Sequence, residues 1–171
     1  MTPDTATVEL LRNHQRVFVV GLGPATSLVD LLEIRLTRSA RHVIPLRTYG
    51  RDILEPLLLM TKDDLLIAFG FRRVNPYLKI VLEQANRRGA SVILITDTLG
   101  ELYGKNATVV LSARRGPVSA FHSMTVPMTI VNSLLLALSA ADQERIMGKL
   151  DELDEMREDL LRLEKTGHSS K

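Results

Sequence analysis

The sequence predicts an α/β fold in which a five-stranded parallel sheet lies between two layers of helices. Short, unbroken apolar runs of strand length alternate along the chain with segments of helical periodicity. Most runs lead into a polar turn and a signal for a helix start. Strands that are apolar at every position are typical of parallel sheets covered on both faces. The predicted architecture is therefore a three-layer αβα sandwich.

The clearest unit is a strand, helix and strand crossover in the middle of the chain. Residues 65–69 form an unbroken apolar run, and Asn75-Pro76 then predicts an N-cap followed by a proline at the first helical position. The helix is expected to end at Gly89, and residues 91–96 form the next apolar run. This order is that of a βαβ crossover between parallel strands.

The remaining elements extend the same alternation. The prediction comprises a helix over 3–14, a strand over 17–20, a helix that starts at Pro24, a strand over 42–46, a strand over 107–112 and a long helix over 123–138. Pro45 predicts an edge position for the second strand, because proline cannot donate to a sheet ladder. Asp52 and Glu55 have the spacing of a capping box, which predicts a short helix ending near Met60.

Length and composition define the domain organisation. At 171 residues the chain is long enough for one domain with a substantial core. We expect residues 1–141 to form this domain, residues 142–165 to form a charged helix that packs on the domain or on a dimer partner, and residues 166–171 to form a disordered tail. The helix carries Leu150, Leu153, Met156, Leu160 and Leu163 at helical spacing.

Composition also excludes several classes of function. The chain has no cysteine, so disulfides, thiolate nucleophiles and cysteine-ligated metals are absent. A formal net charge of +2 and scattered arginine pairs predict no direct nucleic-acid binding. No signal peptide is recognisable, and the apolar stretch 126–141 is shorter than a membrane span. These observations predict a cytoplasmic protein without a membrane partner.

Ligands of open parallel sheets bind outside the carboxyl ends of the strands. Three loops are predicted to lie there, 21–27, 70–75 and 114–123, and each leads into a helix whose first N–H groups favour anions. Their hydroxyl and basic side chains suit a phosphorylated or acidic polyol. The alternative for Thr26, Ser119 and Ser123 is that each hydroxyl only caps a helix.

Dinucleotide binding, metal binding and catalysis have little support. The turn Gly21-Leu22-Gly23 has Thr26 where a dinucleotide motif has its third glycine, and no acidic residue follows the second strand. The four histidines show no metal-ligand spacing, so no metal, cofactor or catalytic residue is assigned. His122 is the one histidine in a predicted ligand loop.

The chain resembles the SIS (sugar isomerase) domain, and most closely the effector domain of RpiR/MurR-type transcriptional regulators. The residues that carry the resemblance are 17–23 (VFVVGLG), 64–73 (DLLIAFGFRR), 88–97 (RGASVILITD) and 121–128 (FHSMTVPM), within a similar region from Gln15 to Ala141. The resemblance implies a flavodoxin-like SIS fold that binds phosphosugars through hydroxyl residues in the first and central loops.

Two positions of this chain depart from that pattern. The usual serine of the first loop falls on Ala25, beside Thr26, and the usual Ser-x-Ser-Gly-x-Thr of the central loop falls on residues 70–75, which carry no hydroxyl. Either Arg72 or Arg73 replaces this phosphate contact, or the ligand differs, or the pocket has degenerated. The predicted ligand-binding residues are Gly21, Gly23, Ala25, Thr26, Gly70, Phe71, Arg72, Arg73, Ser119, His122 and Ser123.

Three functions follow from these observations. The first is noncatalytic binding of a carbohydrate derivative, expected to be a phosphosugar, by a ligand-sensing domain that forms a homodimer or higher oligomer. Only a short helix precedes the first strand, which leaves no room for the helix-turn-helix of the regulators, so the chain is expected to be a stand-alone SIS protein or an isolated effector half. The second is an aldose–ketose phosphosugar isomerase using His122 and Glu101. The third is an oligomerisation domain with a vestigial pocket.

Overall fold

A computed structural model describes residues 5–47, 50–73, 75–116 and 122–168. Five parallel strands form one sheet in the order β2-β1-β3-β4-β5. The strands are β1 (Arg16–Gly21), β2 (His42–Leu46), β3 (Leu65–Gly70), β4 (Ser91–Thr96) and β5 (Val109–Ser112). The helices are α1 (Thr5–Asn13), α2 (Thr26–Arg38), α3 (Pro76–Arg87), α4 (Gly100–Tyr103), α5 (Thr125–Ala141) and α6 (Gln143–His168). The predicted five-stranded parallel sheet is confirmed.

Two apolar clusters, one on each face of the sheet, make this a three-layer structure. Val17, Val19 and Ile67 point to one face, where α1, α2 and α5 pack. Phe18 and Leu66, which alternate with them along the strands, point to the other face, where α3 packs. Because both faces are covered, every residue of β3 is buried, as its continuous apolar run predicted.

The predicted crossover between β3 and β4 is confirmed in detail. The side chain of Asn75 accepts a hydrogen bond from the Tyr77 N–H at 2.9 Å, so it caps α3, and Pro76 is the first helical residue. Gly89 has a φ of +72°, the left-handed conformation expected just after a helix. β2 lies at the edge of the sheet, the position that Pro45 predicted.

Three local predictions were wrong. Asp52 lies inside a 3₁₀ turn (Gly50–Leu54), and a second 3₁₀ turn (Pro56–Leu59) follows, so no capping box forms. Pro24 belongs to a 3₁₀ turn (Gly23–Ala25), and α2 begins two residues later than predicted. β5 starts at Val109 because a 3₁₀ turn (Gly104–Asn106) takes up the preceding chain. Short 3₁₀ turns carry no periodic apolar signal by which a sequence would reveal them.

The C-terminal helix leaves the domain partway along its length. α6 extends to His168, three residues past the predicted end. Ile146 is buried in the core, whereas Met156, Leu160 and Leu163 are 60%, 57% and 70% exposed. No single helix of the described ranges is long and apolar enough to cross a membrane; α5 and α6 meet that test only as a pair, bent by 100°.

A buried arginine joins the start of α6 to the rest of the domain. The Arg41 guanidinium donates to the carbonyl oxygens of Leu11, Arg12 and Ser39 and forms an ion pair with Asp142, with 3.0 Å between Nη2 and Oδ2. The Arg41 side chain is fully buried. One side chain therefore connects α1, the end of α2 and the bend between α5 and α6.

Candidate functional site

The strand order places the expected ligand-binding crevice at the carboxyl ends of β1 and β3. β2 lies on one side of β1, while β3, β4 and β5 follow on the other, so the chain reverses direction across the sheet at the β1–β3 junction. The loops after β1 and β3 diverge to opposite faces there and leave a crevice. Ligands of doubly wound sheets bind at this junction, and a cavity is found there in this protein.

We call this cavity the switch-point cavity. Its volume is about 480 Å³, within the range of small-molecule sites. The first loop contributes Leu22, Pro24 and Ala25, and Met124 covers another side. The central loop contributes five residues to the lining: Gly70, Phe71, Arg72, Arg73 and Asn75. Arg115 and His122 of the third predicted loop also line it. The three predicted loops therefore converge, but the first loop supplies apolar groups in place of hydroxyls.

A second cavity, the outer cavity, adjoins the first and has a volume of about 750 Å³. It extends toward the ends of β4 and β5, where Asp97, Thr98, Glu101 and Arg114 line it. Four residues line both cavities and form what we call the shared wall: Arg72, Arg73, Arg115 and His122. Three arginines and a histidine are therefore common to the two cavities.

A buried ion pair fixes one side of the shared wall. Arg115 Nη2 lies 2.9 Å from Asp97 Oδ2, and the two side chains are only 7% and 8% exposed. Asp97 Oδ1 accepts hydrogen bonds from the backbone N–H groups of Arg72 at 2.9 Å and Thr98 at 2.7 Å. Asp97 thus ties together the loops that follow β3, β4 and β5.

The electrostatics of Asp97 reflect these contacts. Burial raises the pKa of the carboxyl group, but the hydrogen bonds from Arg72 and Thr98 and the charge of Arg115 outweigh it and hold the pKa below its ordinary value. Asp97 is therefore ionised near neutral pH and neutralises Arg115. Arg115 also stacks on Phe71, with 4.1 Å between Cζ and the ring centroid.

The central loop has an unusual backbone conformation at its first arginine. Arg72 has a φ of +61°, which non-glycine residues rarely adopt. The hydrogen bond from its N–H to Asp97 compensates for this conformation. The side chains of Arg72 and Arg73 are exposed, and neither forms an ion pair with any described residue. Their charges are therefore available to a ligand.

The hydroxyl residues predicted for the site do not line either cavity. Thr26 Oγ1 donates to the Gly23 carbonyl at 2.8 Å, and Ser123 Oγ accepts from the Thr125 N–H at 3.1 Å. Both hydroxyls therefore make local turn contacts. Neither caps its helix as the alternative proposed, because the N-cap positions of α2 and α5 are Ala25 and Met124, which have no side-chain cap. Ser119 lies outside the described residues. Of the other predicted residues, those lining a cavity are Ala25, Gly70, Phe71, Arg72, Arg73 and His122.

The two glycines of the first loop have structural explanations. A Cβ atom on Gly21 would lie 2.8 Å from the backbone oxygen of Ala25, so only glycine allows the turn to pack this closely on β1. Gly23 has a φ of +61°. Neither lines the switch-point cavity. They shape the first loop, which places Ala25 at the cavity.

His122 is the polar group of the shared wall whose hydrogen bonding is incomplete. Both ring nitrogens are buried, and neither has a hydrogen-bond partner among the residues that the structure describes. A buried polar atom without a partner is costly unless a ligand or water satisfies it. His122 is therefore positioned to bond to a group that enters either cavity.

Sequence reasoning did not single out Asp97, Arg114 or Arg115. A signal existed, because Asp97 follows β4 and the arginine pair follows β5, so all three stand at carboxyl ends of parallel strands. Within the described residues, no three His, Asp or Glu side chains lie close enough to hold a metal ion.

Comparisons with known proteins agree with this geometry. A family model of the SIS domain matches residues 10–137. The sugar isomerase domain of an RpiR transcription factor from Sphaerobacter thermophilus is 25% identical, with a TM-score of 0.81 over 88% of this chain and 84% of that chain. The NanR protein of Vibrio vulnificus, complexed with ManNAc-6P, is 22% identical, with a TM-score of 0.74 over 92% of this chain and 62% of that chain.

More distant structures share the fold. The C-terminal domain of glucosamine-fructose-6-phosphate aminotransferase from Francisella tularensis is 20% identical, with a TM-score of 0.60 over 81% of this chain and 39% of that chain. A comparison with curated protein sequences finds no significant match. The family model spans most of the chain, which confirms the predicted resemblance. Three loops converge at the carboxyl ends of a five-stranded parallel sheet, and the family model matches residues 10–137. The chain therefore belongs to the SIS domain family.

Proposed function

We propose that this chain binds a phosphorylated carbohydrate without transforming it and acts as a ligand-sensing domain of RpiR type. The observation that carries the proposal is the switch-point cavity, where Arg72 and Arg73 meet an apolar first loop. The similarity to an RpiR sugar isomerase domain and to NanR complexed with ManNAc-6P supports the choice of ligand class.

Charge favours a phosphate group at this position. A phosphate monoester carries about 1.5 to 2 negative charges at neutral pH. Arg72 and Arg73 are exposed cations without ion-pair partners in the described chain, and arginine binds phosphate oxygens through two parallel N–H groups. These two residues take the part that hydroxyl groups have in the usual SIS loop. His122, with its unpaired ring nitrogens, is available to a sugar hydroxyl.

Thermal denaturation with a panel of sugar phosphates tests this proposal. A ligand present at a hundred times its dissociation constant adds about 2.7 kcal/mol to the free energy of unfolding. For a chain of this size that corresponds to a rise in Tm of roughly 5–10 °C. Arg72→Gln and Arg73→Gln should each reduce the rise, whereas Arg87→Gln, at the opposite end of α3, should not. If no sugar phosphate changes Tm, the pocket is vestigial and the proposal fails.

A phosphosugar isomerase is the second candidate, and one observation favours it. His122 and Glu101, the two possible acid–base groups, line the same outer cavity. An isomerase must remove a proton from the carbon next to the carbonyl group, which requires a base within hydrogen-bonding distance of that proton. Solvent deuterium would then enter the substrate. Deuterium incorporation that His122→Asn or Glu101→Gln abolishes would replace the binding proposal with the enzymatic one.

We also propose that the chain forms a homodimer through α6. The exposed part of this helix carries an apolar stripe, Leu153, Met156, Leu160 and Leu163, among seven acidic and three basic residues between Asp151 and Lys165. A groove of about 350 Å³ lies at the base of α6, and its lining includes three leucines and two arginines: Leu135, Leu136, Leu150, Arg35 and Arg38.

The charges of these two surfaces are complementary. Arg35 and Arg38 form no ion pair within the described ranges, and the outer part of α6 has an acidic excess. A second copy therefore suits the groove, with the α6 of each copy lying on the other in a two-fold arrangement. Light scattering should report a dimer that Leu160→Glu converts to a monomer. Leu58→Glu, at a leucine that is 75% exposed elsewhere, is the matched control and should leave the dimer intact.

A further inference from the structure

The outer cavity contains more positive charge than a single phosphate in the switch-point cavity requires. Arg115 is neutralised by Asp97, so it adds no net charge. Arg72, Arg73 and Arg114 remain, and among the described residues that line the cavity Glu101 is the one carboxylate left to oppose them. None of these three arginines has an ion-pair partner in the part of the chain that the structure describes.

The position of Arg114 distinguishes it from the other two. Arg72 and Arg73 line both cavities, whereas Arg114 lines the outer cavity alone, together with Thr98 and Glu101. A phosphate bound by Arg72 and Arg73 in the switch-point cavity would leave Arg114 without a counter-ion. A second anionic group on the same ligand would supply one.

We propose that the outer cavity is a second anion subsite and that the ligand is a carbohydrate with two acidic groups, a phosphate and a carboxylate. This inference rests on the proposed function, since it assigns the first phosphate to the switch-point cavity. The ligand extends past the shared wall, with its phosphate in the switch-point cavity and its second acidic group in the outer cavity. Its second acidic group bonds to Arg114 in a charge-assisted contact.

Three features of the two cavities favour a polyhydroxylated chain between the two acidic groups. Both buried nitrogens of His122 lack partners among the described residues, and His122 lines both cavities. Glu101 and Thr98 supply oxygen atoms in the outer cavity for hydroxyl groups. The ion pair between Asp97 and Arg115 holds the wall in place, which fixes the distance between the two subsites.

Calorimetric titration with matched ligand pairs tests the inference. Each pair consists of an aldose 6-phosphate and the corresponding aldonate 6-phosphate, in the gluco, manno and galacto series. The members differ at C1, which is a ring hemiacetal in the aldose and a carboxylate in the open-chain aldonate. In the best-binding series we expect the aldonate to bind about tenfold more tightly at low salt. Arg114→Gln should remove this advantage and leave the affinity for the aldose phosphate within about twofold.

Two further variants separate the possible results. Arg72→Gln should weaken both members of a pair, and Arg87→Gln, which removes the same charge far from the cavities, should weaken neither. The second subsite is refuted, and the proposed function stands, if the aldose phosphates bind but the carboxylate adds no affinity. The same conclusion follows if the aldonate phosphate still binds more tightly to the Arg114→Gln variant. If no member of any pair binds, both are refuted.

Discussion

Replacement of Asp97 by alanine should destabilise the protein more than most substitutions at the edge of a sheet. The change removes the counter-ion of Arg115, whose side chain is only 7% exposed. Loss of one partner of a buried ion pair costs about 3 kcal/mol or more, because the other charge stays buried without compensation. The backbone N–H groups of Arg72 and Thr98 also lose an acceptor, but both bonds lie at the surface, where water can replace it.

The expected loss is therefore about 3 kcal/mol in the free energy of unfolding, or roughly 6–12 °C in Tm. Urea denaturation measures it, with Asp63→Ala as the control. Asp63 pairs with Lys62 at the surface, where both side chains are 77% exposed, so its loss should change stability by less than about 0.5 kcal/mol.

A double-mutant cycle identifies the cause of the loss. Arg115→Met keeps much of the packing on Phe71 but removes the charge. The Asp97→Ala, Arg115→Met double variant should therefore be more stable than Asp97→Ala alone, since no charge remains buried without a partner. The expectation is contradicted if Asp97→Ala lowers the free energy of unfolding by less than about 0.5 kcal/mol, or if the losses of the two single variants simply add in the double variant. Either result would show that the ion pair does not stabilise the shared wall.

Three further predictions concern other parts of the structure. Stability should fall as the pH drops below 3.8, because Asp64 and Asp97 have folded-state pKa values below that of the unfolded chain; acid titration by circular dichroism measures this, and unchanged stability down to about pH 2 would contradict it. Arg41→Met should lower the free energy of unfolding by about 3 kcal/mol in urea, since Asp142 and three carbonyl groups lose their donor, and a loss within the error of the fit would rule out this connection. Gly21→Ala should cost about 2 kcal/mol through overpacking in the first loop, and a variant as stable as the native protein would show that the loop moves aside freely.

The sheet and its principal helices could be predicted because their signals are local. An apolar run such as that of β3 indicates burial on both faces, and Asn75-Pro76 predicts the cap and start of α3 from adjacent residues. The predictions failed where 3₁₀ turns replace α-helical ones, as around Asp52. The local spacing there is that of a capping box, but the spacing does not encode tertiary packing. Tertiary packing selects the tighter 3₁₀ turn.

The site was harder to predict because its organising contacts join loops from different strands. Asp97 and Arg115 become neighbours only when β4 and β5 pair in register, and Arg72 reaches Asp97 only through a left-handed backbone. The arginine-rich central loop was nonetheless recognisable as the departure from the family pattern. For Thr26 and Ser123 the sequence left ligand binding and helix capping open, and the structure shows local turn contacts that are neither.

The contact between Arg72 and Asp97 has a consequence for how the binding preference of this domain can change during evolution. Asp97 receives its bond from the main chain of residue 72, not from the guanidinium group. Any amino acid except proline retains the same donor at that position, and glycine or asparagine would adopt the left-handed conformation more readily than arginine does. The fold therefore constrains the path of the backbone while the side chain that meets the ligand is free to mutate. New specificities can arise at this position at little cost to folding.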